Sequence, residues 1–241
     1  MLSLEHVYTA CSFFFCFYRE AGIMKGNIND SCMKQGCLTY TDEKGGLIML
    51  ELKLKSGEVK QCEAGAYVHE LLEAWNVKEA VYAVTLDGKL HDLNYRIKKS
   101  GALDYIYADS ETGKLIYERS LNFLFIVAVR SLFPDARVRM EHALSGGQYC
   151  EIDKEGYCKP QDVRKIEKRM KELIAANEVI HRRVVATAEA QAYFDRLGMK
   201  NKANLLACRK SATSSIYTLC GYDDYFYGIM LPDTSYLTHF F

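Results

Sequence analysis

The chain has 241 residues, of which 49% are hydrophobic, and it carries equal numbers of basic and acidic side chains, 31 of each. This length and composition suffice for one large or two ordinary domains with buried cores, and they exclude a predominantly disordered chain. The nine cysteines include no CxxC pair, which argues against a zinc ribbon, a thioredoxin-like dithiol and a secreted disulfide framework.

Reduced thiols and a cytoplasmic location are therefore expected. The charge is uneven: residues 1–113 have a net charge of −4, residues 114–215 a net charge of +7 and residues 216–241 a net charge of −3. The central part is the one that would attract an anionic partner, although a solvated surface has the same composition. No membrane association is expected, because Arg130 ends the apolar run 123–129, far short of the roughly 20 residues that span a bilayer.

Residues 1–47 show no sustained periodicity, and we expect them to form a poorly ordered leader. Their apolar run VYTACSFFFCFYRE has no Lys or Arg before it, so it does not have the pattern of a signal peptide. A native start near Met49 is an alternative.

From Ile48 the pattern predicts a compact α+β unit. IMLELKL and EVKQC alternate on either side of a KSG turn, which predicts a hairpin. EAGAYVHELLEAWNV has helical spacing, and AVYAVTL, KLHDLNYRI and LDYIYADS predict further strands that end at the ETG of residues 111–113.

The second half opens with RSLNFLFIVAVRSLFP at 119–134, which predicts a helix buried on nearly all sides. ARVRMEHAL and GGQYCEID predict two strands, and a helix with a buried stripe follows Pro160. TAEAQAYFDRLG and NKANLLACRK predict further helices, and the tail SIYTLCGYDDYFYGIMLP is rich in aromatic and β-forming residues. The predicted fold class is α+β throughout.

These segments resemble two known families. VKQCEAGAYVHELL, AVYAVTLDGKLHDLNYRI and LDYIYADS resemble the TGS domain, a ubiquitin-like β-grasp module of threonyl-tRNA synthetases and certain GTPases. ERSLNFLFIVAVRSLFPDARV, GGQYCEI, PQDVRKIEKRMKELI and GYDDYFYGIMLPDT resemble the editing domain shared by threonyl- and alanyl-tRNA synthetases, also called the second additional domain. EHALSGGQYCEI and CGYDDYFYGIMLP are more similar still to the amino-terminal half of bacterial uridine (nucleoside) kinases. The resemblance implies a leader at 1–47, a TGS domain at 48–112 and an editing-like domain at 113–241.

The editing family carries HxxxH on the first helix and DxCxxxH before a later proline, and these residues hold zinc. The resemblance matches the four metal-ligand positions to Phe123, Val127, Phe226 and Met230, and it matches the aspartate to Asp224. Phenyl and isopropyl groups offer zinc no lone pair, and a thioether binds it poorly. The resemblance therefore implies no metal, no cofactor, no catalytic residue and no ester hydrolysis.

Two groups of residues are candidates for binding. His142, Tyr149, Asp224 and Tyr225 could line a ligand cleft, although cross-strand packing is the simpler use of the aromatic rings. A second group could contact RNA phosphates: Lys165, Lys168, Arg169, Arg182 and Arg183. Basic residues on a helix face that is simply exposed to solvent have the same pattern.

The leading hypothesis is a noncatalytic regulatory or ligand-binding module of a uridine kinase-like protein, with a P-loop kinase domain as its partner in cis. The chain itself contains no GxxxxGK[ST] string, which phosphoryl transfer by that class of enzyme requires. The alternative is an RNA- or tRNA-binding module related to aminoacyl-tRNA editing. A third hypothesis, an active deacylase, is not expected because the metal ligands are missing.

Overall fold

The computed structural model describes residues 11–16, 48–144 and 147–240, without the side chains of 11–16, 143 and 144. Six residues of the predicted leader, Cys11–Cys16, form strand β1, and the rest of the leader lies outside the described residues. Residues 48–118 and 229–232 form one compact unit, and residues 11–16, 119–228 and 233–240 form another. The boundary at 118/119 lies inside a helix, whereas the sequence places it at 112/113.

The first unit is built on a mixed five-stranded sheet in the order β3-β2-β6-β4-β5, in which β2 and β6 are parallel and the other neighbours antiparallel. Alternate residues of β2 are buried, because successive side chains of a strand point to opposite faces. Helix α1 contributes Val68 and Leu71 to the core. The elements are β2 Met49–Leu54, β3 Val59–Glu63, α1 Val68–Ala74, β4 Val81–Leu86, β5 Lys89–His91 and β6 Gly101–Tyr107.

Helix α2 (Glu111–Leu132) begins earlier than the sequence predicts. The ETG at 111–113 was expected to end a strand, but it forms the first turn of the helix. The reason is local: the Ser110 hydroxyl accepts a hydrogen bond from the Gly113 N–H at 3.0 Å, which satisfies one of the free donors of a helix N-terminus. Residues 120–129 are buried except Asn122, which confirms the prediction of a helix enclosed on nearly all sides.

The second unit contains two three-stranded antiparallel sheets, in the orders β1-β8-β7 and β11-β10-β9. Strand β9 is an addition to the predicted elements. The elements after α2 are β7 Arg137–Leu144, β8 Gly147–Asp153, α3 Pro160–Ala175, β9 His181–Ala186, α4 Thr187–Arg196, α5 Lys200–Ala207, β10 Thr213–Leu219 and β11 Tyr222–Tyr225. In the described part of the chain, α2 is the longest helix, and none has the length and apolar character needed to cross a bilayer.

Gly113 is required where α2 passes the end of β6. A Cβ atom on this residue would lie 2.1 Å from the Tyr107 carbonyl oxygen, which is a backbone atom and cannot rotate away. We therefore expect Gly113→Ala to lower the free energy of unfolding by about 2 kcal/mol, a typical cost of overpacking. Chemical denaturation followed by circular dichroism measures it, with Lys114→Ala at the neighbouring exposed position as the control. An unchanged unfolding midpoint for Gly113→Ala would contradict this close approach.

Candidate functional site

The apolar residues on α2 that match metal-ligand positions are fully buried. Phe123 and Val127 lie one turn apart on one face of the helix, and both are 0% exposed. The Phe123 ring contacts the Phe226 ring just after β11, with the centroids 5.3 Å apart and the planes tilted by 59°. The side chains of Phe123 and Phe226, expected from the resemblance to replace two ligands of one zinc ion, therefore pack against each other.

Met230, the fourth matched position, is 2% exposed and lies in the short segment 229–232 that groups with the first unit. Of these four side chains, only the Met230 thioether carries a lone pair, and it is a weak ligand for zinc. Within residues 48–144 and 147–240, no three His, Cys, Asp or Glu side chains form a group that could hold a metal ion. The residues at the matched positions do not fit a zinc ion.

Asp224, which matches the family aspartate, is a buried charge paired with a half-buried lysine. It lies on β11, is 1% exposed and forms an ion pair with Lys202 from α5. Its Oδ1 also accepts a hydrogen bond from the Tyr225 N–H at 2.6 Å. Its Oδ2 is buried and has no hydrogen-bond partner among the described residues. Lys202 therefore supplies the countercharge that a buried carboxylate needs.

Tyr225 belongs to a second polar group, centred on Arg209. The Arg209 guanidinium donates a hydrogen bond to the Tyr225 hydroxyl and lies 5.6 Å and 5.3 Å from the ring centroids of Tyr225 and Tyr227. Cation–π contact of this kind holds guanidinium and rings in one arrangement. Sequence reasoning missed both Lys202 and Arg209. The signal that could have found them is the absence of any Asp or Glu between residues 196 and 222, where five Lys and Arg occur.

A third polar group holds β9, β11 and α4 together. The Asp223 carboxylate accepts hydrogen bonds from Arg183, from Thr218 and, at 2.5 Å, from the Tyr193 hydroxyl. Donating to this carboxylate, together with burial, raises the pKa of Tyr193 above its ordinary value. Arg183 also lies 5.0 Å from the centroid of the Tyr193 ring. Arg183, predicted to contact RNA, thus makes contacts within the protein.

The four residues predicted to share a ligand cleft form two pairs on different sheets. His142 of β7 and Tyr149 of β8 stack with their centroids 5.7 Å apart, in the sheet β1-β8-β7. Asp224 and Tyr225 are adjacent on β11, in the sheet β11-β10-β9. The stacking of His142 on Tyr149 is cross-strand packing, the simpler role that the sequence analysis gave for the aromatic rings.

The other predicted RNA contacts lie on α3 and β9. Lys165 is 3.6 Å from Asp162, and Arg169 bonds Ser131 at 3.3 Å and Glu172 at 3.2 Å. Lys168 is exposed. Arg182 donates to the Ser215 hydroxyl at 3.1 Å. Most of these cations therefore have acceptors within the chain.

Comparison with known proteins places the chain beside the threonine-tRNA ligases. A threonine-tRNA ligase from Pelobacter propionicus is 31% identical over 193 residues, which cover 79% of this chain and 30% of the ligase. One from Burkholderia lata is 31% identical over 195 residues, covering 80% of this chain and 31% of the ligase. One from a Geobacter species is 30% identical over 193 residues, covering 79% of this chain and 30% of the ligase. No family model matches the chain.

The chain spans about a third of the length of the curated relatives it matches. The similarity supports a synthetase-type editing-like domain in this chain, and the structure is of mixed α+β class as the sequence predicted. The relatives favour the synthetase-related alternative of the sequence analysis. They give no support to a uridine kinase.

Proposed function

We propose that this chain is a noncatalytic RNA-binding module related to the editing domain of tRNA synthetases. In this proposal it binds the acceptor end of tRNA and does not hydrolyse an aminoacyl ester. The relatives are named as ligases that act on tRNA, and homology over four fifths of the chain is the reason to expect the same class of ligand.

One observation carries the noncatalytic part of the proposal. Phe123 and Val127 are 0% exposed, and Phe123 packs on Phe226, so hydrocarbon fills positions that the family resemblance assigns to metal ligands. Zinc hydrolases need three protein donors and an open position for water. A packed phenyl pair provides neither.

The retained polar residues support a binding role. Asp224 is buried with one carboxylate oxygen lacking a partner among the described residues, and Arg209 lies beside the rings of Tyr225, at the end of the same strand β11, and of Tyr227, two residues later. Buried polar groups without partners cost free energy, and functional sites are where such costs are found. Residues 48–112 are proposed to be a TGS domain, on the strength of their mixed five-stranded sheet with helix α1 and of the sequence resemblance.

The test has a metal arm, a hydrolysis arm and a binding arm. We expect purified protein to retain no stoichiometric zinc, and mischarged aminoacyl-tRNA to lose its amino acid no faster than in buffer, with a threonine-tRNA ligase as the positive control. We expect tRNA to bind with an affinity that falls at least tenfold as salt rises from about 50 to about 200 mM, because phosphate contacts release counterions. One tightly held zinc equivalent, or ester turnover, would refute the noncatalytic part; absence of binding at low salt would refute the RNA-binding part.

A further inference from the structure

The segment 196–222 is basic and contains no acidic residue of its own, although its Lys202 is paired with Asp224. It contains five Lys and Arg and no Asp or Glu, although the chain as a whole has equal numbers of each. It runs from the last residue of α4 through α5 and β10. Arg196, Lys200 and Lys210 are exposed. A local excess of cations on one short helix and its flanks attracts polyanions.

Helix α5 is held in place between these cations: Arg196 ends α4, Lys200 is the first residue of α5 and Lys210 follows its end. Ala203 and Leu206 are buried in a cluster with Phe194 of α4 and Ile216 of β10, which anchors one face of α5. The opposite face is in solvent, and it includes Leu205, which is 60% exposed.

An exposed aromatic ring lies beside the basic segment. Tyr227 is 74% exposed, and the Arg209 guanidinium is 5.3 Å from its centroid. Arg209 is itself held by Tyr225, to whose hydroxyl it donates a hydrogen bond. The Nε–H of Arg209 is buried and has no acceptor among the described residues. We call Arg196, Lys200, Arg209, Lys210 and Tyr227 the α5 surface.

We infer that the α5 surface binds single-stranded RNA, with Tyr227 stacking on an unpaired base and Arg196, Lys200 and Lys210 contacting phosphates. An exposed ring supported by a guanidinium suits an unstacked base, whereas a base inside a duplex cannot reach it. Three exposed cations with no acid in their segment suit a phosphate backbone. The inference rests on the proposed function, because it assigns the RNA contact to this surface instead of to α3 and β9.

Tyrosine substitutions test the stacking contact. With a labelled 12-nucleotide single-stranded RNA in fluorescence anisotropy, we expect Tyr227→Ala to raise Kd at least about fivefold, since one stacked base contributes that much or more. Tyr227→Phe retains the ring and should bind within about twofold of the unsubstituted chain. Tyr157→Ala, at a tyrosine that is 57% exposed and outside the segment, is the matched control and should not change Kd.

Charge substitutions test the phosphate contacts. The double variant Lys200→Gln, Lys210→Gln is expected to reduce the slope of log K against log salt by about 1.4, because each phosphate contact on a single strand contributes about 0.7. The charge-matched variant Lys165→Gln, Lys168→Gln on α3 should leave the slope unchanged. Poly-glutamate should compete poorly with RNA, since it offers no base to stack.

The outcomes separate this inference from the proposed function. A chain that binds no RNA at low salt contradicts the proposed function. A chain that binds RNA but is unaffected by Tyr227→Ala and by the α5 lysine pair contradicts the α5 surface alone, as does a larger effect from the α3 pair. Displacement of RNA by poly-glutamate at equal charge would overturn RNA as the partner in favour of an acidic polypeptide. Thermal melts of each variant verify that the variants are folded.

Discussion

Phe123→Ala is expected to lower the free energy of unfolding by about 4 kcal/mol, the middle of the range for removing a buried phenyl ring. Phe123 is 0% exposed, and its ring contacts Phe226 at a centroid distance of 5.3 Å. Removing the ring costs the transfer free energy of its carbon atoms and leaves a cavity that a rigid helix cannot fill by collapse. Urea denaturation followed by circular dichroism measures the change.

The control for this substitution is on the same helix. Leu115 is 55% exposed, and Leu115→Ala is expected to change the free energy of unfolding by less than about 0.5 kcal/mol, as surface substitutions do. Phe123→Leu retains most of the hydrocarbon and should cost less than half as much as Phe123→Ala. If Phe123→Ala and Leu115→Ala lower the free energy of unfolding equally, the Phe123 ring is not a packed core residue at the matched metal-ligand position. The noncatalytic proposal would then lose its structural basis.

The extent of burial along α2 could be predicted from the sequence, but its first turn could not. The run 119–134 is apolar on every face, so burial follows from composition alone. The start at Glu111 depends on the Ser110 hydroxyl accepting a hydrogen bond from the Gly113 N–H, and on the absence of a side chain at Gly113, where an added Cβ would lie 2.1 Å from the Tyr107 carbonyl oxygen. Hydrophobic periodicity encodes neither a side-chain cap nor a close approach to a backbone carbonyl.

Strand β9 was missed for a related reason. Five of its six residues, HRRVVA, are exposed, so neither alternation nor an apolar run marks the strand. Its existence is set by pairing with β10, from Thr213 opposite Ala186 to Thr218 opposite His181. A strand whose pairing partner supplies its hydrogen bonds needs no buried face of its own.

The sequence predicted some residues of the candidate site but not the residues that contact them. The four apolar residues and Asp224 were identified through a family resemblance, which supplies positions but no partners. Lys202 and Arg209 precede their contacts, Asp224 and Tyr225, by 22 and 16 residues. The fold brings them together because α5 packs beside β11 through the cluster that includes Ala203, Leu206 and Tyr225. Counting charge over the long segments 1–113 and 114–215 diluted the signal that the acid-free segment would have given.

Lys202→Met is expected to lower the free energy of unfolding by about 3 kcal/mol, because it leaves a buried carboxylate without its countercharge. Asp224 is 1% exposed, and the Lys202 side chain is 31% exposed. Without the ammonium group, Asp224 retains the Tyr225 N–H at 2.6 Å and an Oδ2 that has no partner among the described residues. The control is Lys200→Met, two residues earlier on α5 and exposed, which should change stability by less than about 0.5 kcal/mol.

Removing the charge of Asp224 should destabilise the fold less than removing that of Lys202. The difference shows that the unpaired buried carboxylate is what lowers the free energy of unfolding. Asp224→Asn leaves Lys202 able to turn toward water, so a loss of about 1 kcal/mol is expected, the size of an ordinary hydrogen bond. The double variant Lys202→Met, Asp224→Leu should recover most of the stability that Lys202→Met loses, since replacing both charges by hydrocarbon is often neutral. If the double variant is stable but no longer binds RNA, the fold does not need the ion pair, and the pair serves ligand binding. Equal losses for Lys202→Met and Lys200→Met would instead show that Asp224 is hydrated and that no buried charge exists at this strand.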